Sequence, residues 1–151
     1  MSELEYGHCR ETDIPALLDL WRDSEGEPSP TDDKDAIEKC LAHDQESIIL
    51  AWEGGQLVGS IIASWDGWRG NVYRLAVAPT HRRRGIGTGL VQRAEARLTR
   101  LGARRITGLV FDSNEVSLAL FRRHGWNVTP RLLRLVGPKQ APKRTSEHAS
   151  I

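Results

Sequence analysis

Three consecutive arginines, Arg82 to Arg84, run directly into a glycine-rich stretch that contains Gly85 and Gly87. A strand-like segment precedes this stretch, and a helical pattern of apolar residues follows it at once. The first backbone N–H groups of a helix have no partner inside it, so together with the helix dipole they attract anions. Glycines allow a ligand to approach that backbone, and guanidinium groups match phosphate oxygens. The stretch therefore predicts a site that binds a diphosphate.

Two common nucleotide-binding patterns do not fit this spacing. A Walker loop requires a lysine after its last glycine, and no lysine follows Gly85, Gly87 or Gly89. The dinucleotide fingerprint requires a third glycine where Leu90 stands. The structural alternative is an exposed basic turn that only caps a helix.

Length and composition limit the class of protein. The 151 residues suit one domain, and the 21 Lys and Arg against 20 Asp and Glu do not indicate a general nucleic-acid binder. A local contact of nucleic acid with Arg82–Arg84 and the tail residues Lys139, Lys143 and Arg144 is a weaker alternative. No window holds the roughly 18 apolar residues of a membrane span, and the N-terminus lacks a secretory signal, so we expect a cytoplasmic protein. Cys9 and Cys40 stand apart from each other and from any histidine cluster, which favours reduced thiols and no metal site.

The elements that must position the arginine–glycine stretch follow from periodicity and turn residues. The predicted order is β-α-α-β-β-β-α-β-α-β, with room for one more strand within 126–136. Gly54-Gly55 and Asp66-Gly67 predict the turns that join the three central strands. We expect one mixed α/β domain over residues 3–136 and a disordered tail over 137–151.

The helices carry their own boundary signals. Thr12-Asp13 and Thr31 are candidate caps for the first two helices. The helix after Gly87 should end at Gly102. Its predicted apolar stripe comprises Leu90, Val91, Ala94, Leu98 and Leu101, while Arg93, Glu95, Arg97 and Arg100 are expected to face solvent.

Two spaced segments resemble one known family. "VAPTHRRRGIGTGLV" is similar to the acetyl-CoA-binding motif of the GNAT N-acetyltransferase superfamily, with Arg82, Gly85 and Gly87 at its fixed positions. "NEVSLALFRRHGW" resembles the family's later Asn-x-x-Ala/Ser-x-x-Leu-Tyr-x-x-x-Gly-Phe segment, beginning at Asn114. The resemblance covers about residues 3 to 136, and within the superfamily the chain resembles the ribosomal-protein-alanine N-acetyltransferase-like subgroup.

The resemblance implies a fold and a cofactor site. The fold is a mainly antiparallel mixed sheet flanked by helices. Acetyl-CoA, as co-substrate, would place its pantetheine arm against the backbone of Leu75, Ala76 and Val77. The resemblance also implies a larger set of acetyl-CoA-binding positions, namely Arg82, Arg83, Arg84, Gly85, Ile86, Gly87, Thr88, Asn114 and Phe121.

The implied reaction is acetyl transfer to a primary amine, either of a small molecule or of a peptide or protein N-terminus. A backbone N–H near Leu75 would stabilise the oxyanion. The chain departs from the family at two positions, since Phe121 stands where many relatives have a tyrosine acid and Leu109 where others have a glutamate base. Tyr73, which shares a strand face with Asn71, is the candidate general acid. A second hypothesis is therefore an acyl-CoA-binding sensor or scaffold that has lost part of its chemistry.

The acceptor side is predicted from the same resemblance. Segments 24–33 and 64–70 would line the acceptor cleft, the first through its acidic residues and the second through Trp65 and Trp68. The remaining candidates for a base or an amine-binding group are Glu25, Glu27, Asp66 and His124. The expected partner is an amine acceptor, the expected assembly is a monomer or a homodimer, and no membrane or metal is implied.

Overall fold

A computed structural model describes residues 3–24 and 26–138 of the chain. Five strands form one sheet in the order β1-β2-β3-β4-β5, and all neighbours are antiparallel except β4 and β5, which are parallel. The strands are β1 Leu4–His8, β2 Ile48–Glu53, β3 Gln56–Trp65, β4 Gly70–Val77 and β5 Ile106–Gly108, and the helices are α1 Ile14–Asp23, α2 Lys34–His43, α3 Ile86–Leu101 and α4 Glu115–Arg123. The mixed α/β class and the mostly antiparallel sheet are thus confirmed.

Helices α1 and α3 lie on opposite faces of the sheet. A Cβ atom on Gly59 of β3 would touch Ile86 and Leu90 of α3, whereas the hydroxyl of the next residue, Ser60, accepts a hydrogen bond from Trp21 of α1. Successive residues of a strand point to opposite faces, so the sheet is covered on both sides. Fully buried residues from the sheet and from both helices form the core, among them Leu17, Ile48, Leu50, Ile61, Leu90 and Leu98.

The glycine turns and the long helix follow the sequence prediction. Gly54 and Gly55 both have positive φ and join β2 to β3. Helix α3 ends at Gly102, which has φ 111° and donates its N–H to the carbonyl groups of Leu98 and Thr99. Leu101, however, is 40% exposed and lies at the edge of the apolar stripe rather than in the core.

Arg97 is the clearest error of the pattern-based prediction, since its side chain is buried instead of facing solvent. It pairs with Asp44 just beyond α2 and donates an Nε hydrogen bond to the carbonyl of Ala63 in β3 at 3.3 Å. A cation can be buried when its donors are satisfied in this way. Asp44 lies 53 residues away along the chain, so helical spacing carries no sign of the pairing.

Two further predictions need correction. The cap of α2 is Asp33, whose carboxylate accepts the N–H of Ala36 at 2.9 Å, and not Thr31. Within the described residues no strand forms over 126–136, since the sheet ends at the three-residue β5 and no strand lies beyond it. Of the predicted tail, 139–151 lies outside the described residues, as do the tail cations Lys139, Lys143 and Arg144.

Candidate functional site

A cleft lies between the carboxyl half of β4 and helix α4. The structure brings four of the predicted positions together along it, namely Leu75, Ala76, Val77 and Arg82. The opposite wall comes from Ser24, Val116, Ser117 and Leu120. Ser24 belongs to the segment 24–33 that was expected on the acceptor side, Ser117 and Leu120 occupy positions of the second motif, and Val116 carried no signal in the sequence.

The cleft exists because β4 loses its neighbour. Strand β5 pairs with β4 only up to Val72 and Gly108, and the chain then leaves the sheet. The N–H of Ala78 bonds to Val58 of β3 at 2.8 Å. Because backbone groups alternate along a strand, the N–H groups of Val77 and Leu75 point the other way, to the open edge. An extended ligand can pair with such an edge as an additional strand.

A β-bulge lies at the start of this open edge. Ser60 of β3 faces Ala76 and Ile62 faces Tyr73, so β4 has one residue more than β3 over the same interval. Arg74, within the bulge, has φ 54°, a conformation that residues with side chains seldom adopt. The bulge thus separates the Tyr73 half of β4 from the Leu75–Val77 half.

The start of α3 provides the backbone N–H groups of the predicted anion site. Gly85 precedes the helix with φ 81°, and Arg83 also has a positive φ, of 63°. The first N–H that bonds back along the helix is that of Gly89, to Gly85 at 3.0 Å. Within the described part of the chain no backbone hydrogen bond is donated by the amides of 86–88. These amides lie at the positive end of a 16-residue helix dipole.

The two motif glycines have different structural reasons. A Cβ on Gly85 would meet no atom within 4 Å, so the residue is needed for its positive φ. A Cβ on Gly87 would lie 2.5 Å from Cδ2 of Leu120, so Gly87 lets α3 and α4 pack closely. Its expected role, keeping side chains away from a ligand, is therefore secondary to packing between the two helices.

The three arginines also differ. Arg82 lines the cleft, and Arg83 is exposed. The guanidinium of Arg84 donates to Glu53 Oε2 at 2.6 Å, and His81 lies 3.3 Å from the other oxygen of that carboxylate. The side-chain charge of Arg84 is therefore paired with a protein carboxylate.

The positions taken from the second motif lie around α4. The Asn114 side chain caps the helix by accepting the N–H of Ser117 at 3.2 Å. Phe121 is 7% exposed and packs against Trp126 with a centroid distance of 4.8 Å, so it belongs to the core rather than to the cleft lining. Thr88 and His124 contact each other through Oγ1 and Nε2 at 3.0 Å, which links the start of α3 to the end of α4.

Tyr73 lies on the other side of the bulge from the cleft lining. It is 40% exposed, like its partly exposed neighbour Asn71 and unlike Val72, which is buried between them. Burial raises the pKa of the Tyr73 phenol, and the negative charge of Asp66 raises it further. The phenol is therefore protonated at neutral pH, which is the state a general acid requires.

The two predicted acceptor segments lie apart. Segment 24–33 reaches the bulge, where the carboxylate of Asp32 is paired with Arg74 and is therefore already neutralised. Glu27 is exposed, and Glu25 lies outside the described residues. Segment 64–70 borders a groove with Leu101, Arg104 and Arg105 at the far end of α3, about 24 Å from its start at 1.5 Å per residue.

Trp65 and Trp68 thus border this groove and not the cleft between β4 and α4. Trp68 is 70% exposed and already carries the guanidinium of Arg69 at 4.2 Å. Asp66 accepts the N–H groups of Arg69 and Trp68, which lower its pKa, so its carboxylate serves the turn and is a poor base.

A mostly antiparallel sheet with one open strand edge, beside a helix start rich in free amides, defines a class of acyltransferases that bind coenzyme A. The model of the Acetyltransferase (GNAT) family matches residues 14–126, and the chain belongs to this family. It is an N-acetyltransferase, and acetyl-CoA is its co-substrate.

Three similar proteins illustrate the relationship. An acetyltransferase of Pectobacterium atrosepticum is 32% identical over 114 residues, which are 76% of this chain and 81% of that protein. The diaminobutyrate acetyltransferase of Paenibacillus lautus, solved with L-2,4-diaminobutyric acid and coenzyme A, is 25% identical with a TM-score of 0.66, over 82% of this chain and 75% of that one. The ribosomal-protein-S18-alanine N-acetyltransferase of Escherichia coli has the same fold, with 19% identity and a TM-score of 0.66 over 83% of this chain and 78% of that one.

Two kinds of feature are absent from the described residues. No group of three or more metal-ligating side chains occurs among them. None of the helices in that part of the chain has the length and apolar character to cross a membrane.

Proposed function

We propose that the protein transfers the acetyl group of acetyl-CoA to a primary amine by direct attack in a ternary complex. The pantetheine arm would pair with the backbone of Leu75, Ala76 and Val77, and the diphosphate would lie on the amides from Arg83 to Thr88. The observation that carries this proposal is the succession of the open edge of β4, Arg82 in the cleft lining, and the first amides of α3, which donate no backbone hydrogen bond within the described residues.

The chemistry requires little from the side chains. The amine nitrogen attacks the thioester carbonyl, negative charge develops on the carbonyl oxygen, and the C–S bond breaks to release coenzyme A as a thiolate. The N–H of Leu75, aimed at the open edge, would stabilise the developing oxyanion. Holding amine and thioester side by side supplies much of the remaining acceleration.

Proton transfer is assigned to Tyr73 and water. The amine must lose a proton and the leaving thiolate must gain one, so the two steps balance when a proton passes from one to the other. Tyr73 remains protonated at neutral pH and can supply the thiolate through a water molecule. The described cleft lining contains no carboxylate, so deprotonation of the amine falls to water.

The acceptor would approach beside segment 24–33, which borders the bulge. With Asp32 already paired to Arg74, this side offers less negative charge than the sequence suggests. One solved relative has L-2,4-diaminobutyric acid as its substrate and the other is named for an alanine of ribosomal protein S18, so a small-molecule amine and a protein amine are both candidate acceptors.

A second candidate function is a sensor or scaffold that binds acyl-CoA without turnover. It is favoured by Phe121, which is buried in place of the tyrosine acid, and by Leu109, which is 61% exposed in place of the glutamate base.

The test combines binding and turnover. Acetyl-CoA affinity is measured by calorimetry, and thiol release is followed with L-2,4-diaminobutyrate, a polyamine and a heptapeptide with N-terminal alanine. Binding with amine-dependent thiol release supports the enzyme. Binding without release on any amine supports the sensor, and the absence of binding contradicts both.

A further inference from the structure

A closed chain of contacts surrounds the backbone of Arg74. The indole N–H of Trp21 donates to Ser60 Oγ at 2.9 Å, and the Ser60 hydroxyl in turn donates to the carbonyl of Arg74 at 3.0 Å. Ser60 is fully buried and Trp21 is 7% exposed, so neither has water as an alternative partner. The Arg74 carbonyl, which the bulge has displaced from the sheet ladder, is thereby fixed by a side chain.

The side chain of Arg74 returns to the same group of residues. Its guanidinium lies 5.0 Å above the Trp21 ring and makes a two-point contact with Asp32, with the Nε to Oδ1 distance at 3.0 Å. A Cβ added to Gly26 would lie 3.7 Å from Nη1 of Arg74, so segment 24–33 packs directly on the guanidinium. Both side chains of the ion pair are only 19% exposed.

These contacts hold a backbone conformation that is unfavourable for an arginine. With φ at 54°, Arg74 would relax to a more extended form if its carbonyl and guanidinium were released. The next residue is Leu75, whose N–H points to the open edge of β4. A change in the torsions of Arg74 rotates the peptide between the two residues and with it the direction of that N–H.

We propose that Trp21, Ser60 and Asp32 are positioning residues that hold Arg74 in the left-handed conformation and so aim the Leu75 N–H at the thioester carbonyl. This inference rests on the proposed function, because that function gives the Leu75 amide its role. It also links the two substrates: the segment beside the acceptor and the oxyanion donor are held by one arginine.

The experiment observes the carbonyl without needing a known acceptor. [1-¹³C]acetyl-CoA is bound to each variant and the carbonyl resonance is compared with that of free acetyl-CoA. A hydrogen bond to the oxygen moves the resonance downfield, so the wild type should be shifted, and Ser60→Ala should return most of the way to the free value. Acetyl-CoA affinity should change by less than about two-fold, since the diphosphate amides are untouched. With an accepted amine, kcat should fall by about ten-fold or more.

The matched control is Ser47→Ala. Ser47 is also buried, at 3% exposed, and also donates to a carbonyl, that of Asp44 at 2.8 Å, but it lies away from β4. It should keep the wild-type resonance despite a similar loss of stability. Asp32→Asn provides a second variant at a less buried position, with the exposed Asp35→Asn as its control. Asp32→Asn should shift the resonance in the same direction as Ser60→Ala.

The outcomes separate the two proposals. If the wild type binds no acetyl-CoA, the proposed function is wrong. If the wild type binds and its resonance equals that of free acetyl-CoA, or if Ser60→Ala and Asp32→Asn both keep the shifted resonance, the positioning role is wrong while acetyl-CoA binding stands.

Discussion

Replacing Gly85 by alanine should weaken acetyl-CoA binding through backbone strain alone. Gly85 has φ 81°, and an added Cβ would meet no protein atom within 4 Å, so a steric clash cannot account for any effect in the free protein. The left-handed conformation costs a residue with a side chain about 1–2 kcal/mol. If the loop relaxes when free and must return to φ 81° to present its amides, this cost appears as about a 5- to 30-fold loss of affinity.

The chain contains a matched control for this prediction. Gly67, in the turn between β3 and β4, has φ 91°, and a Cβ there would also meet no atom within 4 Å. It borders the groove at the opposite end of α3. Gly67→Ala should therefore lower the free energy of unfolding by about 1 kcal/mol and keep the wild-type affinity for acetyl-CoA.

Calorimetric titration of acetyl-CoA into both variants, with urea unfolding of each, decides the matter. Equal affinities in Gly85→Ala and the wild type would contradict the assignment of the diphosphate to this loop. An equal loss in both variants would show that the effect follows general destabilisation and not the loop geometry.

Three further predictions concern packing and protons. Arg97→Met should lower the free energy of unfolding by about 2 kcal/mol in urea titrations, since Asp44 loses its cationic partner while its side chain, 30% exposed, keeps contact with water. In the wild type, burial alone would raise the pKa of the Asp44 carboxyl group, but hydrogen bonds from Arg97 and from a backbone N–H hold this pKa below 3.8. The stabilisation by the Arg97–Asp44 pair is therefore present above pH about 4 and is lost at lower pH, and only the wild type should show this loss. Gly87→Ala should lower the free energy of unfolding by about 1 kcal/mol, measured by thermal unfolding, because the new Cβ would clash with Leu120. Leu120→Ala removes the clashing methyl, so the double variant should be less destabilised than the sum of the two single variants. Tyr73→Phe should lower kcat by about 100-fold at unchanged acetyl-CoA affinity, and the wild-type rate should persist to higher pH than an ordinary tyrosine would allow, because burial and Asp66 raise the pKa of the phenol. An unchanged kcat would remove Tyr73 from the mechanism.

Local features of the fold were predictable because their causes are local. Gly54-Gly55 can only be a tight turn between two apolar runs, and Gly102 ends a helix because it tolerates φ 111°. The start of α3 was recognisable for the same reason. A strand, a glycine with positive φ and an apolar helical stripe occur in direct succession there.

The misplaced residues all depend on a distant partner. Thr31, Asp32 and Asp33 are three possible caps in a row, and the choice of Asp33 accompanies the engagement of Asp32 by Arg74, 42 residues away. Arg97 is buried because Asp44 and Ala63 meet it from two other elements. The apolar residues of 126–136 predict a strand, yet a strand requires a partner edge, and β5 pairs through only three residues.

The backbone strain of the described residues has a functional distribution. Apart from glycines, only Arg74 and Arg83 have positive φ there; Arg74 directly precedes the strand edge that we assign to the pantetheine arm, and Arg83 begins the run of amides that we assign to the diphosphate. Each such residue costs free energy and persists only where its surroundings over-determine it. For Arg74 the surroundings are Trp21, Ser60 and Asp32, and the neighbour of Arg83, Arg84, is anchored by Glu53. In the proposed mechanism, Trp21, Ser60 and Asp32 would fix the oxyanion donor and Glu53 would fix the diphosphate amides before any ligand arrives, which is the arrangement expected of a site that accelerates transfer mainly by orientation.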